Sequence, residues 1–95
     1  MTKDNIEIEN KINDFKRRIK QLENLKISKD FLISQGFTYH SLDTVLVKKC
    51  RHSPTLTWFC EVGDFGWNLI CQGLDGNSNV YEFKKFKDLK RFYNY

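Results

Sequence analysis

Cys50 and His52 stand two residues apart, and Cys60 and Cys71 follow in the same half of the chain. A thiol beside an imidazole is the raw material of a base-activated nucleophile, and four Cys and His side chains make a donor set for zinc. Neither pattern is complete. A thiolate nucleophile also needs a third group to orient its base and donors for a developing oxyanion, and nothing in the sequence points to either. Zinc ligands rarely crowd as closely as Cys50-Arg51-His52, and Cys60 and Cys71 fall on a strand pattern among Trp and Leu. Free cysteine commonly packs as a small hydrophobe, so Cys60 and Cys71 are assigned to the core and Cys50 to the start of a loop. The acids Glu61, Asp64, Asp75 and Glu82 are scattered over a strand and turns, and no glycine cluster leads into a helix as a phosphate cradle requires. The expectation is a protein that is not an enzyme, with no catalytic residue, cofactor or metal.

Charge offers a different chemistry. Sixteen Lys and Arg face twelve Asp and Glu, a net charge of +4, and the cations are clustered. Lys84, Lys85, Lys87, Lys90 and Arg91 interleave with Phe83, Phe86, Phe92, Tyr93 and Tyr95; Lys48, Lys49 and Arg51 form a second group, and Lys16-Arg17-Arg18 a third. Cations neutralise phosphates and rings stack on unpaired bases, which makes nucleic acid one candidate partner for the C-terminal group. Against it, aromatics at helical spacing commonly form core, and lysines between them a solvated face.

The elements that must position these residues follow from periodicity. Ninety-five residues make one domain, residues 1–95, and the high aromatic share of 15% lets a small core be built from few side chains. From residue 4 to about 26, Ile8, Ile12, Phe15, Ile19 and Leu22 recur with gaps of four, three, four and three. That is a narrow, heptad-like helical seam. Glu7–Lys11 and Asp14–Arg18 are favourable i, i+4 pairs, with acids early and bases late along the helix. Two antiparallel copies would set acidic half against basic half across residues 8–22, whereas the seam could equally pack on the chain's own sheet. Ser28 suggests a cap for a short second helix, Lys29–Gln35, with Gly36 as its left-handed stop; the sequence leaves open whether the two helices form one bent rod. The helical segment is thus 1–35.

Residues 37–83 switch to period two and predict an antiparallel meander of three to four strands: Thr44–Lys49, Leu56–Val62, Trp67–Gln72 and a short Val80–Phe83. The turn formers Gly63-Asp64-Phe65-Gly66 make a hairpin of the middle two, pairing Val62 with Trp67, Cys60 with Leu69 and Trp58 with Cys71 on the core face. Phe59 and Ile70, with Leu46, then fall on the opposite face, open or covered by the N-terminal helices. A basic C-terminal helix, within residues 84–95, presents Phe86, Leu89 and Phe92 to the core. The fold class is α+β.

No apolar run reaches the roughly 18–20 residues of a membrane span. Met1-Thr2-Lys3-Asp4-Asn5 leads into a charged segment without a signal-peptide core, and three cysteines do not suggest a disulfide framework, so a cytoplasmic location is expected.

An exposed Phe and Ile beside turn residues would make an apolar patch with a polar rim. The residues expected to contact a protein partner are Lys16, Arg17, Lys20, Arg51, His52, Phe59 and Phe65, with Trp67 and the Gly73–Asn79 loop as further candidates. In its short length, its Lys/Asn/Ile-rich sequence and its helix–sheet–helix order ending in KKFKDLKRFYNY, the chain resembles small phage and mobile-element proteins of the anti-CRISPR kind. That resemblance implies an inhibitor that grips a host defence protein, a nuclease or nucleoprotein, and occludes a functional surface; it assigns no residue a role. Two other expectations stand beside it: nucleic-acid binding through Lys84, Lys85, Lys87, Lys90 and Arg91, and a regulatory protein that dimerises through its N-terminal helix.

Overall fold

A computed structural model describes residues 3–95; residues 1 and 2 of the expected helical segment lie outside them. Helix α1 (Lys3–Ser34) is followed by strands β1 (Thr38–Tyr39), β2 (Val45–Lys49), β3 (Leu56–Val62), β4 (Trp67–Gly73) and β5 (Ser78–Phe83), then by helix α2 (Phe86–Asn94). The architecture is α+β.

The first helix runs unbroken through Ser28, so Lys29 to Ser34 form its last turns, Gln35 lies in the turn after it, and the short second helix does not exist separately. The reason lies in what Ser28 bonds. Its hydroxyl donates to the Asn24 carbonyl four residues back at 3.0 Å and accepts the indole N–H of Trp67 at 2.9 Å. The side chain faces the core instead of capping a new N-terminus. The helix ends where Gly36 predicted, at φ 98°, with Phe37 N–H bonded to Leu32 O and Gly36 N–H to Ile33 O. Leu32 and Phe37, which bracket this cap, are both buried. No basic residue occupies the last turn of α1; Lys48 from β2 supplies the cation, donating to the Gln35 carbonyl.

The sheet has one strand more than the upper expectation, in the order β1-β2-β3-β4-β5, every neighbour antiparallel. The hairpin register is the one the alternation demands: Val62 opposite Trp67, Cys60 opposite Leu69, Trp58 opposite Cys71. Strand β5 starts two residues earlier than its apolar run because Ser78 and Asn79 pair with Gln72 and Cys71.

One face of the sheet carries the core. Leu25 and Leu32 of α1 and Leu89 of α2 close over Leu46, Cys60, Val62, Trp67 and Leu69, with Phe31, Trp58, Phe83, Phe86 and Tyr93 packed around them. Tyr93, not Phe92, completes the inner face of α2, meeting Phe31, Phe37 and Trp58. Leu46 is likewise on this core side, opposite Cys60, and does not join Phe59 and Ile70. Trp67 is only 4% exposed, which removes it from the contact candidates.

The heptad seam does not pack on the sheet. Every described residue from Asp4 to Lys20 is exposed, and the molecule measures 56 × 29 × 20 Å because the front of α1 extends as a rod. No helix among the described residues is long and apolar enough to cross a membrane.

Candidate functional site

The tip of the β3–β4 hairpin is tied to the middle of α1. Asn24 donates its side-chain amide to the Gly63 carbonyl at 2.8 Å, and the Arg17 guanidinium lies 3.6 Å from the Asp64 carboxylate. Within the turn, Gly63 N–H bonds to Gly66 O at 2.8 Å. Gly66 has φ 154°, and a Cβ there would stand 2.2 Å from the Phe83 carbonyl oxygen, so only glycine fits. This bracing holds up Phe65, whose side chain is 86% exposed. Asn13, Lys16, Arg17, Lys20, Asp64 and Phe65 line one shallow hollow of about 360 Å³. Four of the seven expected contact residues therefore meet, from segments more than forty positions apart in the chain. The patch is cationic around an exposed ring, a combination that suits an acidic, partly apolar protein surface.

The remaining three lie elsewhere. Arg51 and His52 are exposed on the β2–β3 loop, beside a larger hollow of about 770 Å³ whose walls include Lys48, Cys50, Trp58 and Tyr93. Lys48 is committed there, with its ammonium 5.5 Å from the Tyr93 ring centre. The Cys50 thiol is held below its ordinary value, first by the backbone N–H of His52, then by that of Ser53, the Trp58 side chain and the Lys48 charge, while burial works the other way. It is the main chain of His52, not its imidazole, that favours the thiolate. Cys60 is the opposite case: burial pushes its thiol up to about 12. Among the described residues no three His, Cys, Asp or Glu side chains gather as a metal site would require.

Phe59 is half-buried on the second face of the sheet. The register sets Val47, Phe59, Ile70 and Val80 side by side across four strands, and none of them belongs to the cluster that the helices close. The helices therefore cover only the other face. His40 stands edge-on to Phe59 at 5.9 Å. Val47 and Val80 escaped the sequence reading; the period-two pattern of Ser78–Phe83 held the signal for Val80, but its partner strand fixes the row.

At the C-terminus Lys84, Lys85, Lys87, Lys90 and Arg91 are all exposed, whereas the rings between them turn inward. Phe86 and Tyr93 enter the core cluster, and Phe92 stacks on Tyr81 at 4.6 Å and Phe83 at 5.3 Å. Lys90 sits 5.6 Å over the Phe31 ring. The cations of this group keep their solvent face, but only Tyr95 among its aromatics stands fully free.

No protein-family model matches the chain, and no curated protein or solved structure shows significant similarity to it.

Proposed function

We propose that this chain is a non-enzymatic protein-binding module that presses its hairpin-tip patch against an acidic, partly apolar surface of a target and occludes it. A phage-type inhibitor of a host defence protein would act in this way. The observation that carries the reading is the position of Phe65: a large ring, almost wholly in solvent, on a turn fastened to a rod by Asn24 and Arg17 and ringed by Lys16 and Lys20. Aromatic anchors beside cations are among the side chains that dominate interface energetics. A braced turn also loses little freedom on binding.

Capture from a native host extract tests the proposal when wild type, Phe65→Ala, Lys16→Glu plus Lys20→Glu, and Phe59→Ala are compared. A specific partner retained by wild type and Phe59→Ala, and lost by the other two, supports it. Retention by wild type and all three variants alike, or loss only with Phe59→Ala, rejects the hairpin tip as the contact. Nucleic-acid binding is favoured by one observation, the exposure of Lys84, Lys85, Lys87, Lys90 and Arg91. With the neighbouring rings turned inward, such binding would rest on phosphate contacts and weaken steeply with salt.

A further inference from the structure

We infer that the apolar seam of α1 is the surface on which a second copy of this chain docks, antiparallel to the first. Ile8, Ile12, Phe15, Ile19 and Leu22 are 44–68% exposed, a continuous stripe over about 21 Å of helix. The fold itself does not use it. At about 100° per residue, the stripe lies roughly 120° around the rod from Leu25, Ser28 and Leu32, the face that meets the sheet.

The buried Leu25, Ser28 and Leu32 set the roll of the rod, and two exposed ion pairs lie on the same side. Arg18 is hydrogen-bonded and ion-paired to Asp43, and Arg17 is paired with Asp64, both on the body side. Phe15 and its neighbours are thus fixed outward. Lys16 and Lys20 belong to a third face, bordered by Phe65. Seam, basic patch and body contact share the circumference of one helix.

Charge selects the occupant. Ahead of Phe15 the helix carries Asp4, Glu7, Glu9 and Asp14 against Lys3 and Lys11; beyond it come Lys16, Arg17, Arg18, Lys20, Lys26 and Lys29 against Glu23 and Asp30. A second copy reversed about a two-fold axis near Phe15 lays each acidic half beside a basic half. A parallel copy opposes like with like. The gaps of four, three, four and three fit a narrow helix–helix seam, not a broad groove, and a two-fold pair is closed, so it stops at two. The hairpin-tip patches of both copies stay uncovered in this arrangement. The inference rests on the seam and its charges, independently of what the patch binds.

Sedimentation equilibrium of the full chain over a wide concentration range reads the assembly. Wild type is expected to sediment at twice the monomer mass. Ile12→Asp plus Ile19→Asp, which puts carboxylates into the seam, should raise the dissociation constant by more than roughly 100-fold. Because both positions are already exposed in the single chain, the variant should keep the cooperative melt that wild type shows when diluted to monomer, so that loss of the dimer is not loss of the fold. Spin labels on an Asn5→Cys variant, in a Cys50→Ser, Cys71→Ser background, report direction: about 30 Å apart in the antiparallel pair and close to 10 Å in a parallel one. A monomer at every concentration, a dimer indifferent to the two aspartates, or labels at the short distance would each overturn the inference. The monomeric variant retains Phe65, Lys16 and Lys20, so its capture of a target separates failure of the dimer from failure of the binding patch.

Discussion

Replacing Ser28 by alanine removes the one oxygen through which the core tryptophan is tied to α1. Trp67 is 4% exposed and its indole N–H has the Ser28 hydroxyl at 2.9 Å as its partner; that hydroxyl in turn donates to the Asn24 carbonyl at 3.0 Å. In Ser28→Ala the N–H is left in an apolar interior without an acceptor, which costs about 1–3 kcal/mol. Alanine returns a few tenths of a kcal/mol through its better helix propensity. The net loss is about 1–2 kcal/mol, equivalent to a fall in melting temperature of roughly 5–15 °C for a chain of this size. Urea unfolding of Ser28→Ala, Trp67→Phe and the double variant measures the pair. Phenylalanine has no N–H to strand, so the serine should matter far less in that background, with a coupling of about 1 kcal/mol between the two sites. A Ser28→Ala protein as stable as wild type, or equal losses in both backgrounds, would refute the hydrogen bond as the reason this helix continues through Ser28.

Gly66→Ala should destabilise the chain by at least about 2 kcal/mol, since the new methyl collides with the Phe83 carbonyl at a positive φ; an unchanged urea midpoint would contradict the geometry. Under limiting iodoacetamide near neutral pH, peptide mapping should find Cys50 modified first and Cys60 only after unfolding, because one thiol is lowered and the other buried. The raised Cys60 value also sets a sign for stability: the folded thiol stays neutral while the unfolded one ionises, so stability present below the ordinary value of 9.0 is lost as pH rises toward about 12. Compared with Cys60→Ala, wild type should therefore lose stability more steeply above pH 9; parallel pH profiles would argue against burial of the thiol.

The strands were legible because their signal is local. Trp58, Cys60 and Val62 alternate against Thr57, Phe59 and Glu61, and a glycine-bounded turn leaves one register that puts the large apolar side chains together. Gly36 was legible for the same reason. Ser28 was not: a serine before a short helical run looks like a cap, and only a tryptophan thirty-nine residues later turns it into a core hydrogen bond. The choice of Tyr93 over Phe92 likewise depends on where Phe31, Phe37 and Trp58 converge. Lys16, Arg17 and Lys20 could be named from their charge, and Phe65 from its turn. That they form one surface required the roll of α1 about its axis, which the buried Leu25, Ser28 and Leu32 set, with Arg17–Asp64 and Asn24–Gly63 on the same side.

Titration calorimetry of the captured partner with wild type and with Phe65→Ala weighs the hairpin tip directly. If that ring is the hot spot, its removal should weaken binding at least about 30-fold, or 2 kcal/mol, while the melting temperature of the variant holds. An affinity within twofold of wild type would contradict recognition through this patch.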